Sequence, residues 1–386
     1  MTMDGQTPMH SAKGEQAEVE RDTDVKGVSA WRRRWDSLAR WQQWLVLLIP
    51  LALIYALPVL NPPILTTEPG NNFPLACFEM ARFALVAIGL NIVVGYAGLL
   101  DLGYVAFFAV GAYTAAMLTS QDSALAHIPY LWTLPVAIAT AMLAGVILGI
   151  PTLRLRGDYL AIVTLGFGEI IRVLATIIPA MKGQVGFQGV GKPPGQHADG
   201  TDIFQTSAGT PWYWLIVTVI VLVLILVGNL ERSRVGRAWI AIREDEDAAE
   251  AMGVPTFKYK VWAFALGAGI GGLSGALYAG QIGFVNNQKF DVVTSILFLA
   301  AVVLGGTGNK VGAIVGGALV SYIPLRFTAI ADYKYLIFGI VLVVLMLFRP
   351  QGLLPARIHL LTYARQAYRR LLPGRSRKAD QAEATS

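Results

Sequence analysis

The sequence predicts an all-α polytopic membrane protein with about ten transmembrane helices, and three observations support this fold class. Of the 386 residues, 55% are hydrophobic, only 15% are charged and 40 are glycines, which suits closely packed apolar helices rather than soluble domains. Apolar runs recur along the chain at lengths near the ~20 residues that a helix needs to cross a bilayer. Lysine and arginine concentrate in alternate connecting segments, as is typical of cytoplasmic loops.

The apolar runs leave only short connectors over most of the chain. Two of them, 292–304 and 335–348, are short for a full crossing, so eight crossings is the alternative count. The predicted spans are 44–60, 76–94, 99–118, 131–150, 159–178, 212–230, 261–284, 292–304, 311–327 and 335–348.

The distribution of basic residues predicts that both termini lie in the cytoplasm. With the first tail inside, ten spans place the segments 1–43, 151–158, 231–260, 305–310 and 349–386 on the inner side. These segments hold 24 of the 31 Lys and Arg residues. Eight spans give the same orientation, so the charge distribution does not separate the two counts.

Both ends of the chain differ in composition from its middle. Residues 1–40 predict a disordered cytoplasmic tail that includes a basic-aromatic collar at 31–35, suited to the lipid headgroup layer. A nucleic-acid-binding arm is the alternative for this collar. Residues 41–355 form the predicted transmembrane domain, and residues 356–386 predict a basic tail at the inner membrane surface.

The longest polar interruption of the apolar sequence, 231–260, predicts a short amphipathic helix beneath the membrane. Trp239, Ile242, Ala249 and Met252 recur at roughly helical spacing, with the acidic run 244–247 mostly on the opposite side. An ordinary solvated loop is the alternative.

A short motif within this interruption carries more information than its periodicity. Asp247-Ala248-Ala249, followed after three residues by Gly253, matches the Glu/Asp-Ala-Ala-x-x-x-Gly signature of permease subunits of ATP-driven importers. The wider segment 236–254 resembles one family in particular, the LivM-type permeases for branched-chain amino acids. Segments 89–118, 157–174, 264–279 and 349–355 are similar to the same family, so the resemblance runs from about 76 to 355. The Ile-x-Leu-Pro of the wider superfamily does not follow Gly253 at the expected distance.

The resemblance implies that 41–355 is a permease domain whose coupling loop, 231–260, docks onto a separate ATP-hydrolysing subunit. A rigid-body rocking of the spans would then alternate access to a central path. The residues implied to couple the chain to that subunit are Arg243, Glu244, Asp247, Ala248, Ala249 and Gly253.

The resemblance also implies a location and a set of partners. We expect a multi-pass protein of the bacterial inner membrane that moves branched-chain or related hydrophobic amino acids into the cytoplasm. Its partners would be a second, LivH-like permease subunit, two ATP-binding subunits, an extracytoplasmic (periplasmic) amino-acid-binding protein and the lipid bilayer. ATP and Mg would bind to the partner subunits, so no cofactor is expected on this chain.

Other functions stay open from the sequence alone. Relatives within the family that carry urea, short amides or other amino acids are one alternative. A stand-alone secondary transporter is another, and it would function without ATP-hydrolysing partners. A membrane-embedded enzyme would need the 244–247 carboxylates to hold Mg²⁺ against a lipid pyrophosphate, but this chemistry usually requires a second acidic cluster.

The sequence predicts no catalytic residue, no metal site and no nucleic-acid partner. Cys77 is the only cysteine, and the four histidines lie far apart. The Gly-x-Gly-x-x-Gly at 267–272 lies inside an apolar span without a preceding strand, so it predicts close helix packing rather than a dinucleotide site. The glycine-rich stretch 305–310 lacks the Ser or Thr of a phosphate-binding loop and predicts a tight cytoplasmic turn.

A glycine-interrupted segment between the second and third spans predicts an opened helix that lines the translocation path. Free backbone groups at membrane depth are tolerated only inside protein or along a cavity, and they suit the two charged ends of an amino acid. A plain re-entrant turn is the alternative, and two of the side chains could instead bond the adjacent backbone, namely Asn91 and Thr164. The candidate path residues are Asn91, Gly95, Tyr96, Gly98, Asp101 and Thr164.

Two pairs of opposite charges occur within predicted spans. Glu79 with Arg82 and Glu169 with Arg172 are each spaced i, i+3, so each pair can meet on one helix face. Charged side chains within a membrane span usually have a functional role. We expect two intramembrane ion pairs that serve helix packing, with a role in transport as the alternative.

The longest outer segment, about 181–211, is rich in glycine and proline. It predicts a docking surface for an extracytoplasmic binding protein, and a passive connector is the alternative.

Overall fold

The structure, a computed structural model, describes residues 40–62, 72–123, 127–153, 155, 157–196, 200–327, 333–348 and 352–354. The predicted N-terminal tail with its basic-aromatic collar and the predicted C-terminal tail lie outside these residues. Within the described ranges, strands occur only as one short pair and an isolated bridge between Gln196 and Asp202.

Each of the ten predicted apolar runs contains a helix. Two further helices form within the polar interruption 231–260. The α-helices of the described residues are α1 (Arg40–Leu60), α2 (Phe73–Leu90), α3 (Val105–Thr119), α4 (Tyr130–Thr152), α5 (Asp158–Ile177), α6 (Gly209–Arg232), α7 (Arg234–Glu244), α8 (Glu246–Ala251), α9 (Thr256–Ile282), α10 (Val292–Gly305), α11 (Lys310–Arg326) and α12 (Lys334–Phe348).

The helix lengths confirm the polytopic all-α class. Five stretches in the described residues are long and apolar enough to cross a membrane: Phe73–Tyr96, Tyr130–Thr152, Tyr159–Ile177, Gly209–Arg232 and Thr256–Ile282. Shorter apolar helices accompany them, at Pro50–Leu60, Val105–Thr119, Val292–Gly305 and Tyr335–Val344. The protein is therefore a multi-pass membrane protein.

The connectors predicted to lie on one side of the membrane contact one another. On the predicted inner side, Lys310 lies 2.5 Å from Glu231 in an ion pair, and the Asn309 amide donates to the Leu354 carbonyl at 2.9 Å. On the predicted outer side, the Asn72 amide donates to the Ser207 carbonyl at 3.0 Å. This clustering agrees with the alternation of inner and outer connectors.

Helix α9 packs against α2, α3 and α4, and its glycines set how closely these helices approach. A Cβ added at Gly275 would lie 1.9 Å from the Phe108 carbonyl oxygen of α3, and one at Gly272 would lie 2.3 Å from the Ala141 Cβ of α4. The Tyr104 hydroxyl donates to the Gly267 carbonyl at 2.6 Å. The prediction that this glycine-rich segment serves helix packing is confirmed, because larger residues would force the helices apart.

The long outer segment is tied to the end of α9 by a small antiparallel sheet. Strand β1 (Phe187–Gln188) pairs with β2 (Phe284–Val285), which follows α9 directly. The Val190 amide then donates to the Gly283 carbonyl at 3.2 Å. Residues 187–190, near the start of this predicted docking segment, are thus fastened to the end of α9.

Two elements differ from the prediction. The third span begins at Val105 rather than near 99, because residues 91–96 form a π-helical segment and residues 97–104 are not helical. The amphipathic helix predicted within 231–260 forms as two helices, α7 and α8, because the backbone at Asp245 is extended, with a φ of −159°. As a consequence Met252 does not share the buried face of Trp239, and it is 85% exposed.

Candidate functional site

Helix α7 is anchored beneath the transmembrane core by its apolar face. Trp239 is 1% exposed, and its indole N–H donates to the Tyr259 carbonyl of α9 at 2.8 Å. Ile242 is also buried, one turn further on. The Ser233 hydroxyl caps the helix by accepting from the Val235 amide at 3.1 Å. Helix α7 therefore has a fixed position against the start of α9.

Helix α8 is short, and side-chain and glycine caps define both of its ends. The Asp245 carboxylate accepts from the Ala248 amide at 3.0 Å, as an N-cap does. At the other end the Gly253 amide donates to the Glu250 carbonyl at 2.9 Å, and the Val254 amide to the Ala249 carbonyl at 3.0 Å. These two bonds form a Schellman motif, whose Gly253 has a φ of +82°. The signature residues Asp247 to Gly253 thus correspond to one short helix and its C-terminal cap.

Most of the predicted coupling residues are exposed to solvent, but one of them is buried. Ala249 is 6% exposed and faces the chain itself. A Cβ added at Gly253 would meet no atom within 4 Å, so this position borders open space. The coupling residues that are exposed are Arg243, Glu244, Asp247, Ala248 and Gly253.

Arg243 connects α7 to the opened helix that follows α2. Its guanidinium Nη1 donates a hydrogen bond to the carbonyl oxygen of Gly95. The stem of Arg243 lies against Gly98, where an added Cβ would be 3.0 Å from Cγ of the arginine, and Gly98 itself has a φ of +70°. A residue predicted for coupling and two predicted for the path are therefore in direct contact.

The π-helical segment is also fastened to the turn before α11. The Asn91 side-chain oxygen accepts from the Gly308 amide at 2.8 Å. A Cβ at Gly95 would lie 2.0 Å from that same oxygen and 2.5 Å from the Gly308 nitrogen. Only glycine fits at this crossing point. Three parts of the chain meet at Gly95: α7, the opened helix and the turn before α11.

Two other predicted path residues stabilise the irregular segment 97–104. Asp101 is completely buried, and its Oδ1 accepts from the Gly103 amide at 2.9 Å. The Thr164 hydroxyl accepts from the Leu102 amide at 3.1 Å and donates to the Ala161 carbonyl at 3.0 Å. Within the described residues, Asp101 Oδ2 and the buried Tyr96 hydroxyl have no hydrogen-bond partner. Their role in the path stays a prediction.

An open cleft of about 240 Å³ separates the opened helix from α8 on the predicted inner side. At its edge Lys260, which is 3% exposed, pairs with Glu246. This ion pair was not predicted, since the two residues are fourteen positions apart and only their placement on α8 and α9 brings them together. The cleft is lined by Gly98, Leu99, Leu100, Leu155, Gly157, Leu160, Glu246, Asp247 and Lys260.

The Glu79–Arg82 pair lies inside the helix bundle. The closest nitrogen–oxygen distance is 2.5 Å, and the Arg82 side chain is 9% exposed. Three aromatic rings surround its guanidinium, with centroids 4.7 Å away for Phe83, 5.4 Å for Phe108 and 4.9 Å for Tyr278. Such cation–π contacts stabilise a desolvated guanidinium.

The Glu169–Arg172 pair lies on a half-open face of α5. Arg172 Nε donates to Glu169 Oε2 at 2.9 Å, while the two side chains are 35% exposed for Arg172 and 41% for Glu169. Among the described residues no group of three or more His, Cys, Asp or Glu side chains is arranged to hold a metal ion.

A family model described as "Branched-chain amino acid transport system / permease component" matches residues 77–346. The chain belongs to this family of permease components. The resemblance to LivM-type permeases is confirmed, and the matched range of this chain contains α8, the opened helix and both ion pairs.

Individual relatives also place this permease in the family. It is 37% identical over 294 residues to the high-affinity branched-chain amino acid transport system permease protein LivM of Escherichia coli K12, covering 71% of this chain and 68% of the relative. The probable LivM permease protein of Methanocaldococcus jannaschii is 24% identical, with coverage of 71% and 91%. The autoinducer 2 import system permease protein LsrC of Yersinia enterocolitica is 28% identical, with coverage of 46% and 51%. No solved structure matches the permease.

Proposed function

We propose that this permease component is the membrane-spanning subunit of an ATP-driven importer that moves branched-chain amino acids into the cytoplasm of a bacterial cell. The observation that carries the proposal is the 37% identity to the Escherichia coli LivM protein across most of both chains. The bacterial inner membrane is the proposed location, in keeping with the multi-pass helices. Urea, short amides and other amino acids are the alternative substrates.

The proposed partners follow from the family and from the exposed coupling surface. ATP and Mg bind to two separate ATP-hydrolysing subunits, and a LivH-like second permease completes the membrane part. The exposed residues of α8 and its caps dock onto one ATP-hydrolysing subunit. Gly253 supports this placement, because no atom of the chain occupies the space beside it.

The proposed coupling runs from α8 through α7 to the opened helix. Helix α8 follows α7 with only Asp245 between them, and Arg243 in the last turn of α7 holds the Gly95 carbonyl. When ATP binding moves the docked α8, α7 shifts the π-helical segment at the inner end of α2. Asn91 carries the same movement to the turn at Gly308, so the spans rock together.

On the outer side we propose that the segment about 181–211 receives the amino-acid-binding protein. Its strand β1 is joined to β2, and the Gly191 amide donates to the Thr119 hydroxyl at the end of α3 at 3.0 Å. A surface fixed in this way to two transmembrane helices suits the transfer of movement between a docked protein and the spans.

The test is purification of the tagged chain in mild detergent with its co-expressed candidate partners, followed by uptake in proteoliposomes. We expect an ATP-hydrolysing subunit to co-purify, and ATP inside the vesicles to drive uptake of labelled leucine supplied with the binding protein. Labelled urea and acetamide in the same vesicles test the alternative substrates. Leucine uptake by the chain alone, without ATP, would contradict the proposal and favour a secondary transporter.

A further inference from the structure

Two Glu–Arg pairs with the same i, i+3 spacing lie on spans, yet their surroundings differ. The Arg82 side chain is 9% exposed and that of Glu79 is 27% exposed, and aromatic rings of this chain surround the Arg82 guanidinium. The Arg172 side chain is 35% exposed, and that of its partner Glu169 is 41% exposed. The first pair is accommodated inside the bundle. The second pair is more open, and the Asp291 carboxylate before α10 is a further charge that acts on Arg172.

The pair lies at the edge of the open face of α5, whose exposed centre is apolar. A Cβ added at Gly166, one turn before Glu169, would meet no atom within 4 Å. Val173, one turn after Glu169, is 40% exposed, and Ile170, on the far side of this open face from Arg172, is 56% exposed. The pair is thus bordered by a gap on one side and by open apolar side chains on the other.

Lipid is an unsuitable neighbour for this face. Charged side chains in the hydrocarbon region are costly unless they reach the headgroups or face protein or water. Glu169 lies eight residues before Ile177, where α5 ends, or about 12 Å by the helical rise. The Arg172 guanidinium turns toward Glu169, back along the helix and away from the nearer outer headgroups. The pair therefore lies within the predicted span 159–178, and its guanidinium points toward the middle of that span.

We propose that this face of α5 lines the translocation path, and that Glu169 and Arg172 bind the two charged ends of an amino-acid substrate during passage. This inference rests on the proposed function and names residues that would serve it. The substrate ammonium suits the Glu169 carboxylate, and the substrate carboxylate suits the planar Arg172 guanidinium. Val173, one turn after Glu169, then accepts an aliphatic side chain.

The preformed ion pair explains how such a site releases its substrate. A free Glu169 or Arg172 would hold an oppositely charged group strongly in a path of low dielectric. Because each already has a partner, the substrate exchanges one internal ion pair for two contacts of similar kind. Transport needs binding that is favourable enough to enter and weak enough to leave.

The first test is leucine uptake by the complete importer in proteoliposomes, with Glu169→Gln and Arg172→Gln variants. We expect each variant to assemble with its partners and hydrolyse ATP, but to lose at least about tenfold in uptake rate; Glu169→Asp should restore part of it. The matched control is Glu79→Gln, which disrupts the enclosed pair and should lower the melting temperature of the purified complex.

The second test reads water access directly, without relying on transport. The native chain has one cysteine, Cys77, which is buried and gives little background labelling. Val173→Cys in the assembled importer should react with a membrane-impermeant thiol reagent, and saturating leucine should slow the reaction. Leu226→Cys is the control, because Leu226 is 67% exposed on an uncharged face of α6 that we expect to contact lipid.

The outcomes separate this inference from the function on which it rests. A native importer that fails to take up leucine overturns the proposed function, and the path assignment with it. If the native importer transports leucine, then normal uptake by Glu169→Gln and Arg172→Gln overturns only the path assignment. An unreactive Val173→Cys also overturns it, because the face is then buried against protein or lipid.

Discussion

The guanidinium of Arg243, at the end of α7, donates a hydrogen bond to the backbone carbonyl of Gly95 in the π-helical segment. These residues are 148 positions apart in the sequence. Gly95 lies at a crossing where an added Cβ would collide with Asn91 and with the turn at Gly308. The bond therefore joins the surface segment 231–260 to the one place where the second span is opened.

Removal of this bond should uncouple ATP hydrolysis from transport. A hydrogen bond from a charged donor contributes about 1.5–3 kcal/mol, which corresponds to about a tenfold to hundredfold effect on a coupled equilibrium. We expect Arg243→Ala to reduce leucine uptake by at least about tenfold while ATP hydrolysis by the complex continues. Uptake and hydrolysis are measured in the same proteoliposomes.

Arg237→Ala is the matched control for this prediction. Arg237 lies on the same helix, but its guanidinium donates to the Arg232 carbonyl within the same segment, at 3.0 Å. The Arg237→Ala variant should leave the ratio of leucine uptake to ATP hydrolysis close to that of the native chain. Equal ratios for Arg243→Ala and Arg237→Ala would contradict the coupling role of the Arg243–Gly95 contact.

Substitution of Gly253 should prevent docking of the ATP-hydrolysing subunit and leave the fold intact. Its φ of +82° is a conformation that asparagine and aspartate tolerate better than other residues, and an added side chain would point into open space. We expect Gly253→Asn to weaken co-purification of the ATP-hydrolysing subunit, and Gly253→Asp to abolish it together with uptake. Membrane insertion is checked by the yield of monodisperse protein.

The control for Gly253 is Gly200→Asp on the predicted outer side. Gly200 also has a positive φ, of +76°, and open space beside it. The same substitution there should leave co-purification of the ATP-hydrolysing subunit unchanged. Loss of co-purification in Gly200→Asp would show that aspartate at such a position acts by destabilising the chain rather than by blocking a docking surface.

The ion pair between Glu246 and Lys260 should contribute more to stability than the pair between Glu231 and Lys310. The Lys260 side chain is 4% exposed, whereas the Lys310 side chain is 30% exposed. Removing one partner of a buried pair leaves a desolvated charge and costs about 3 kcal/mol, while an exposed pair contributes about 0–1 kcal/mol. Glu246→Gln should therefore lower the melting temperature in detergent clearly more than Glu231→Gln.

This comparison also has a rescue. Glu246→Gln combined with Lys260→Met removes the stranded charge, and the unbranched apolar side chain of methionine fills most of the same buried space. We expect the double variant to recover most of the melting temperature that the single variant loses. Equal shifts for Glu246→Gln and Glu231→Gln would contradict the importance of burial at Lys260.

The sequence was most informative about the helices whose existence depends on local composition. Each predicted span contains a helix because an apolar run of sufficient length has few other stable arrangements in a bilayer. The break at Asp245 was missed, since this residue lies in the acidic run 244–247 and its capping role depends on backbone geometry. Capping aspartate and helix-surface aspartate look the same in a charged stretch.

The contacts that define the candidate site could not be predicted, because they depend on how distant segments meet. Neither the Arg243–Gly95 bond nor the Lys260–Glu246 pair leaves a local pattern in the sequence. The pairs Glu79–Arg82 and Glu169–Arg172 have identical spacing, and only the packing around them separates an enclosed pair from an exposed one.

Helix α9 should tolerate no enlargement of the glycines that contact α3 and α4. At Gly275 even alanine would place its Cβ 1.9 Å from the Phe108 carbonyl oxygen, and this atom belongs to the backbone and cannot rotate away. Overpacking of this kind typically costs about 1–3 kcal/mol or forces the helices apart. We expect Gly275→Ala to lower both the yield of monodisperse protein in size-exclusion chromatography and its melting temperature.

Gly339→Ala in α12 is the control for this last prediction. Gly339 has no atom within 4 Å of the position that a Cβ would occupy, and it lies inside a helix. Alanine is favoured over glycine by about 0.8–1 kcal/mol in a helix interior, so Gly339→Ala should leave yield and melting temperature unchanged or slightly higher. A Gly275→Ala variant as stable as Gly339→Ala would mean that α3 can move away from α9 at little cost. The close approach of these two helices would then not be required by the fold.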